Sequence, residues 1–167
     1  HTGLAGSAIL RRLENEGSRN VLIRTRQQLD LMSQHDTESF LKKHRPKIVI
    51  LAAAKVGGIN ANWTHPASFI GENLIIQDNV INGAYKAGVS ALIFLGSSCI
   101  YPRGCEQPIK EEYLLTGPLE HTNRPYAVAK IAGLELCWAY NRQFGTRYIS
   151  LMPTNLYGYG DNYDLQN

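Results

Sequence analysis

The residues best suited to chemistry are a phenol and an ammonium four positions apart, Tyr126 and Lys130, in the run Asn123-Arg124-Pro125-Tyr126-Ala127-Val128-Ala129-Lys130. Pro125 suits the first turn of a helix and Asn123 suits its cap, so the spacing predicts a helix with both side chains on one face. A phenol with an ordinary pKa of ~10 is a weak acid–base catalyst at neutral pH. An ammonium held close stabilises the phenolate, and a downward shift of about three units takes roughly 4 kcal/mol of differential interaction. A hydroxyl bond from Ser97 would add to that. Upstream, Ala91-Leu92-Ile93-Phe94-Leu95 is an apolar run closed by Gly96-Ser97-Ser98-Cys99. It reads as a buried strand ending in a polar loop. Ligands of open α/β sheets sit beyond the carboxyl ends of the strands, so Ser97, Ser98 and Cys99 fall where chemistry is expected. A Tyr and a Lys at this spacing are also common on ordinary helices, and the pair gains meaning only from what surrounds it.

The elements that must position these groups alternate between strand and helix. His1-Thr2-Gly3-Leu4-Ala5-Gly6 reads as part of a dinucleotide turn, and Ser7 to Glu16 as a short amphipathic helix stopped by Gly17. Glycines in such a turn let the backbone approach a pyrophosphate. Asn20 to Arg26 reads as a strand. An acidic residue near its end would hold the ribose 2′-hydroxyl of NAD, but here Arg24 and Arg26 stand there. An arginine forks onto a 2′-phosphate, so this strand end predicts NADP(H), with Arg26 as the ligand; solvated strand-end charge is the plainer alternative. Asp36 to His44 reads as a helix with Asp36 near its cap, and Lys47 to Ala54 as an apolar strand. The loop Lys55-Val56-Gly57-Gly58-Ile59 follows, then a long helical pattern from Pro66 to Ala87 ended by Gly88. Arg103 to Thr122 is polar and irregular, compatible with a flap over a substrate or with a passive loop. A helix from Pro125 to Phe144 and a strand from Tyr148 to Met152 complete the alternation.

Composition narrows the class without naming a function. The chain has 167 residues, 44% apolar and 19% charged, with a formal net charge of +3. That suits one domain with a real core, and the charge is too small and too dispersed to point to nucleic acid or a membrane surface. No apolar run reaches spanning length, and no signal peptide is evident. Cys99, Cys105 and Cys137 lack metal-ligand spacing, so no metal is expected, and a reduced cytosolic protein is the simplest reading. Asn62-Trp63-Thr64 matches a glycosylation sequon and is read as chance.

A strand-end Ser followed by Tyr-x-x-x-Lys resembles the triad of the short-chain dehydrogenase/reductase superfamily, and the extended, sugar-nucleotide-modifying branch is most similar. Longer blocks narrow the resemblance to the GDP-L-fucose synthase family: Leu51-Ala52-Ala53-Ala54-Lys55-Val56-Gly57-Gly58-Ile59, Phe94-Leu95-Gly96-Ser97-Ser98-Cys99-Ile100-Tyr101-Pro102, Tyr126-Ala127-Val128-Ala129-Lys130-Ile131-Ala132-Gly133 and Met152-Pro153-Thr154-Asn155-Leu156-Tyr157-Gly158. The resemblance implies an α/β, Rossmann-like doubly wound parallel sheet that binds NADP(H), over residues 1–167. It implies NADPH-dependent 3,5-epimerisation and 4-reduction of a GDP-4-keto-6-deoxy-mannose substrate. Tyr126 would be the proton donor and Lys130 its partner, Ser97 would bind the carbonyl oxygen, and Cys99 would be the epimerisation base. The cofactor would touch His1, Thr2, Gly3, Leu4, Ala5 and Gly6; Arg26, Gln27, Gln28, Leu29, Asp30 and Leu31; Leu95, Gly96, Ser97, Ser98 and Lys130; and Pro153, Thr154, Asn155 and Leu156. The helices over 66–87 and 125–144 would form a homodimer interface.

The family's pattern also has a strand and a glycine ahead of Gly3, a histidine just past Asn167 that acts as the proton donor in the epimerisations, and a sugar-nucleotide domain beyond it. The resemblance therefore implies that these residues belong to a longer protein, without epimerase activity of their own. His1, His35, His44, His65 and His121 do not match the family's histidine and read as turn, surface or cap residues. Another reductase, epimerase or dehydratase of nucleotide sugars stays open, as does a non-catalytic NADP-binding module. Cys99 argues against the first, and the intact Ser97, Tyr126 and Lys130 argue against the second.

Overall fold

Three strands pair in parallel in the order β1 (Ile48–Leu51), β2 (Ala91–Leu95) and β3 (Arg147–Leu151). The structure is a computed structural model describing residues 1–161. The end of the unit expected over 1–167, from Asn162 to Asn167, lies outside the described residues. Parallel neighbours need crossovers, and helices supply both. Before the sheet come α1 (Leu4–Asn15) and α2 (Gln34–His44); α3 (Ile59–Thr64) and α4 (Pro66–Lys86) link β1 to β2, and α5 (Arg124–Phe144) links β2 to β3. This is the parallel α/β architecture that the alternating pattern predicts.

The core forms where α4 and α5 lie on one face of the sheet. Leu92 and Phe94 alternate inward from β2, Tyr148 from β3, and they meet Val80, Ile81 and Ala84 of α4 and Cys137 of α5. Each such side chain contributes roughly 1.5–3 kcal/mol when fully buried. The outer positions are open: Ile48 is 59% exposed, Ile149 55% and Leu151 47%. Among the described residues, β1 and β3 each pair with β2 alone, so both are edge strands.

Between α4 and α5 the contact is too close for a side chain at Gly133. A Cβ there would lie 2.5 Å from Phe94 Cζ and 2.7 Å from Gln77 Oε1. Gln77 is buried, and its Nε2 donates across the interface to the Ala129 carbonyl. Gly133→Ala should therefore cost about 1–3 kcal/mol despite its better helix propensity, because Phe94 and Gln77 have nowhere to go. A thermal melt should show a loss of about 2–4 °C per kcal/mol; an unchanged or raised midpoint would show that the interface can relax.

Several expectations need correction. Asn20 to Arg26 is not a strand: the segment has no ladder pairing and Arg26 begins a turn, with Leu22 46% and Ile23 40% exposed. Strand propensity needs an adjacent strand to become a ladder, and no described strand lies beside this one. Asn123 does not cap α5 through its side chain, whose Oδ1 is buried without a partner. A short 3-10 turn over His121–Asn123 leads into the helix and holds Asn123 away from cap geometry. The cap of α2 is Ser33, whose Oγ accepts from the Asp36 N–H at 3.3 Å. The irregular stretch after Tyr101 is anchored: Tyr113, Leu114 and Leu119 pack with Ile100, Tyr101 and Ile131 into a second cluster. Arg103 pairs there with Glu120 at 3.1 Å.

Candidate active site

The chain leaves β2 through Gly96, and two backbone bonds fix its path. Gly96 N–H donates to the Leu151 carbonyl at 2.7 Å and Ser98 N–H to the Pro153 carbonyl at 3.1 Å, so the exits of β2 and β3 run side by side. A Cβ on Gly96 would come 3.1 Å from the Leu151 oxygen, which is why a glycine serves there. Ser97 then caps the 3-10 turn Ser98–Ile100, its Oγ accepting from the Cys99 N–H at 3.4 Å.

From the other side, α5 brings Tyr126 and Lys130. Lys130 is 4% exposed, and its Nζ donates to the Leu95 carbonyl at 2.7 Å. The ammonium lies 4.9 Å from the Phe94 ring centroid and 5.6 Å from that of Tyr126. Tyr126 meets Phe69 of α4 edge-on at 6.4 Å between centroids. The helix register thus delivers both groups to the end of β2, as the four-residue spacing predicts.

The charges interact in ways the spacing does not reveal. Burial pushes the Tyr126 phenol up to about 12, and a charge on Cys99 would raise it further. Burial also holds Lys130 down to about 8, opposed by Cys99. The Cys99 thiol is raised by burial too, although its bond to Ser97 and the nearby Lys130 charge act the other way. The expected lowering of the phenol is therefore not present. Lys130 spends its charge on the Leu95 carbonyl and the faces of two rings, and desolvation dominates what remains. At neutral pH the site holds a protonated phenol, a thiol and a largely charged ammonium. Such a set can donate a proton and then stabilise the anion left behind.

The residues expected to hold a cofactor form two groups. At the glycine turn, α1 begins at the N-cap Gly3 with no side-chain cap and no acidic residue in its first turn, leaving its N–H groups and positive end free. A Cβ on Gly6 would strike the His1 backbone nitrogen at 2.8 Å, so the close turn needs glycine there. Both features suit a pyrophosphate. Of the two arginines, Arg24 is committed, its guanidinium donating to the Ile23 carbonyl at 2.7 Å and lying 5.1 Å from the Phe40 ring centroid. Arg26 has only a 4.0 Å pairing with Asp30, so it is the freer to take a 2′-phosphate. Gln28 Oε1 accepts from the Thr25 N–H and Asp30 Oδ1 from the Met32 N–H, folding Gln27 to Leu31 into a turn that Asn79 of α4 holds through the Leu31 carbonyl. The second group, Leu95 to Ser98 with Pro153 and the neighbouring Thr154, Asn155 and Leu156, lies along the strand exits described above.

Sequence reasoning passed over some side chains that build the site. Asn73, 2% exposed, holds Lys55 from both sides: its Oδ1 accepts from the Lys55 N–H at 2.9 Å, and its Nδ2 donates to the Lys55 carbonyl at 3.0 Å. Gln77 and Asn73 share the buried face of α4, and a polar residue repeating every fourth position on an apolar helix was the available signal. Asn62 is 5% exposed and its Nδ2 is engaged by the Gly57 and Gly58 carbonyls, so the sequon is sterically closed. The cysteines are free. Among the described residues, no group of His, Cys, Asp and Glu is placed to hold a metal, and no helix is long and apolar enough to cross a membrane.

Comparison with known proteins agrees with this geometry. A family model described as the NAD dependent epimerase/dehydratase family matches residues 1–167. A curated relative from Arabidopsis thaliana, named putative GDP-L-fucose synthase 2, is 59% identical over 167 residues, which is 100% of this chain and 51% of that protein. The solved structure of MlghC, a GDP-mannoheptose C4 reductase from Campylobacter jejuni with NADP bound, is 43% identical with a TM-score of 0.91, covering 94% of this chain and 50% of that one. A GDP-L-fucose synthetase from Naegleria fowleri bound to NADP is 32% identical with a TM-score of 0.89, over 99% of this chain and 55% of that one. The chain spans about half the length of the curated relatives it matches.

Proposed function

The chain belongs to the NAD dependent epimerase/dehydratase family, and from that premise we propose that the protein performs NADPH-dependent 3,5-epimerisation and 4-reduction of GDP-4-keto-6-deoxy-mannose, yielding GDP-L-fucose. The observation that carries this reading is the thiol of Cys99 set among Ser97, Tyr126 and Lys130. A plain ketone reduction needs only the hydroxyl, phenol and ammonium; a thiol in electrostatic reach of both adds a group that can take a proton from carbon. The substrate and cofactor follow from the names of the GDP-L-fucose synthase relatives and from the NADP in the similar structures.

In this reading residues 1–167 form the NADP-binding unit, with Gly3 to Gly6 at the pyrophosphate and Arg26 at the 2′-phosphate. Ser97 donates its hydroxyl hydrogen bond to the C4 carbonyl oxygen. Cys99, as thiolate, removes the proton from the carbon beside the carbonyl, which charge stabilisation by Lys130 favours and burial opposes. Reprotonation from the opposite face completes each inversion. NADPH, when bound, supplies a hydride to C4. Tyr126 gives its proton to the carbonyl oxygen as that bond forms, and the resulting phenolate faces the Lys130 charge. The exposed apolar side chains Leu74 and Ile75 on α4 and Trp138 on α5 favour a homodimer through these helices. Free cysteines favour the cytoplasm.

A second reading, reduction without epimerisation, draws on the 43% identity to a C4 reductase. One experiment separates the two: the full-length protein with NADPH and GDP-4-keto-6-deoxy-mannose, products resolved by chromatography and NMR. GDP-L-fucose as product supports the bifunctional reading; an unepimerised GDP-6-deoxy sugar supports the plain reductase; no NADPH consumption, with NADPH bound, defeats both. Cys99→Ser should lose epimerisation by about 10²–10⁴-fold, the usual worth of a positioned acid or base. It should still oxidise NADPH and accumulate the unepimerised product.

A further inference from the structure

Three buried amides on α4 each reach a different part of the candidate site. Asn73 clasps the backbone of Lys55, Asn79 Nδ2 donates to the Leu31 carbonyl at 2.8 Å, and Gln77 Nε2 donates to the Ala129 carbonyl of α5 at 2.5 Å, across 52 positions of sequence. Asn73 is 2% exposed, Gln77 3% and Asn79 6%. The two asparagines hold loops. Gln77 is tied to the helix that carries Tyr126 and Lys130, and the proton transfers assigned above do not use it. Its point of attachment is Ala129, the residue before Lys130. That carbonyl already serves the ladder of the helix, accepting from the N–H four residues on, and Gln77 takes its second lone pair. Four residues on is Gly133, whose missing side chain makes the room: a Cβ there would meet Gln77 Oε1 at 2.7 Å and Cδ at 2.9 Å. Lys130, next along, is fixed at its far end, with Nζ donating to the Leu95 carbonyl at 2.7 Å. The turn from Ala129 to Gly133 is therefore held twice, by α4 through the backbone and by β2 through the lysine side chain.

Stability alone does not call for an amide there. Burying one in an apolar interface strips water from its polar atoms, and one bond to a carbonyl that is already satisfied returns little. Leucine or methionine would fill the same space between α4 and α5. What an apolar side chain lacks is direction. Packing alone tolerates a small slide or turn of one helix on another, whereas a short hydrogen bond fixes one carbonyl against one side chain. The bond sits at the turn of the 21-residue α5 where such a shift matters for chemistry. It would carry Lys130 off the Leu95 carbonyl and move Tyr126, one turn earlier, away from the end of β2.

We propose that Gln77 is a positioning residue: through the Ala129 carbonyl it fixes α5 along and about its axis, and so places the Lys130 ammonium and the Tyr126 phenol at the end of β2. The reaction these two groups serve rests on the function proposed above; their placement rests on the bond itself. Gln77 lies buried between the two helices and takes no part in the proton transfers.

Steady-state kinetics of the full-length protein with NADPH and GDP-4-keto-6-deoxy-mannose, beside thermal melts, test this. Gln77→Met keeps the volume and removes the donor. It should lower kcat by about 10–100-fold, the scale for misplacing a reacting group by about 1 Å, with KM for both substrates unchanged. Val80→Ala, a core truncation on the same helix, should lower the melting midpoint at least as far and leave kcat unchanged. Gln77→Glu should recover most of the turnover, since a carboxyl buried against a carbonyl keeps its proton and donates in place of the amide. Wild-type kcat in Gln77→Met would overturn the proposal. So would a fall in kcat that tracks the midpoint equally in Gln77→Met and Val80→Ala, which marks a structural role. A crystal structure of Gln77→Met with NADP bound needs no substrate: α5 should have moved at Ala129 and Lys130 Nζ should have left the Leu95 carbonyl, and an unmoved Lys130 sinks the proposal. If the wild type binds NADPH but consumes none with this substrate, the proposed function falls, and the crystal structure alone decides the role of Gln77.

Discussion

Tyr126→Phe in the full-length protein should lower the NADPH-dependent reduction by about 10²–10⁴-fold, the range for removing a positioned proton donor, with NADPH affinity unchanged. The argument is electrostatic. Burial keeps the phenol protonated, up to about 12, so at neutral pH it is always the acid and never the base. A developing alkoxide is more basic than a phenolate at that value, and the proton moves downhill. Phenylalanine keeps the ring contact with Phe69 and the face over which Lys130 lies, so folding and cofactor binding should hold. Stopped-flow reduction and a separate NADPH titration give both numbers. A variant that still reduces at a tenth of the wild-type rate would show that water or another side chain supplies the proton.

Lys130→Met should make the protein more stable at pH 7 while lowering its activity. Lys130 is held at about 8 in the folded chain against an ordinary 10.5. Between those values the unfolded chain carries a proton that the folded one has released, so stability contributed through this group rises with pH across that window. Below pH 8 the burden of burying the charge is felt in full, about 3 kcal/mol for a shift of this size. Methionine removes it and leaves the Leu95 carbonyl without its donor, which costs about 1 kcal/mol. The net gain at pH 7 should be about 2 kcal/mol, and it should shrink as pH rises from 8 towards 10.5. Cys99, Cys137, Tyr126 and Tyr148 are all raised by burial and act in the opposite sense at high pH. They are common to both proteins, so most of their effect drops out of the difference. Urea titrations at pH 7 and pH 10 measure it; a variant less stable than wild type at pH 7 would contradict the cost assigned to the buried ammonium. Reduction should fall by about 10²-fold, since the phenolate would then form without a neighbouring charge.

The strand Ala91–Leu95 was legible because an apolar run closed by Gly-Ser-Ser has few other readings, and its bounds coincide with the structure. The helix carrying Tyr126 and Lys130 was legible from Pro125 and from Gly145, which takes the left-handed conformation that ends it. What failed had non-local causes. Val21-Leu22-Ile23 has every local mark of a strand, but a ladder is a property of two segments. The phenol's pKa follows from how much solvent α4 and α5 exclude, which no spacing states. The Lys130 bond to Leu95 crosses 35 positions, and the meeting of Trp63 with His121 joins two segments with no shared motif. The choice of Arg26 over Arg24 stays a proposal, favoured by the engagement of Arg24 with Phe40, a contact that the sequence does not show.

The open sides of β1 and β3 carry a consequence for handling. Each leaves its outer side without a neighbouring strand, beside exposed Ile48 at one side and Ile149 and Leu151 at the other, although the Asn141 amide takes both backbone groups of Tyr148 on β3. Such margins are templates: another extended chain can add to them and extend the ladder. Neither strand carries a proline and only Arg147 places a charge within them, so little blocks the addition at β1, while at β3 the Asn141 amide must first leave Tyr148. In a concentrated solution of these residues alone, growth of the sheet from molecule to molecule would compete with the monomer. Particle size would then climb with concentration, and added arginine or mild urea would reverse it before the helices melted.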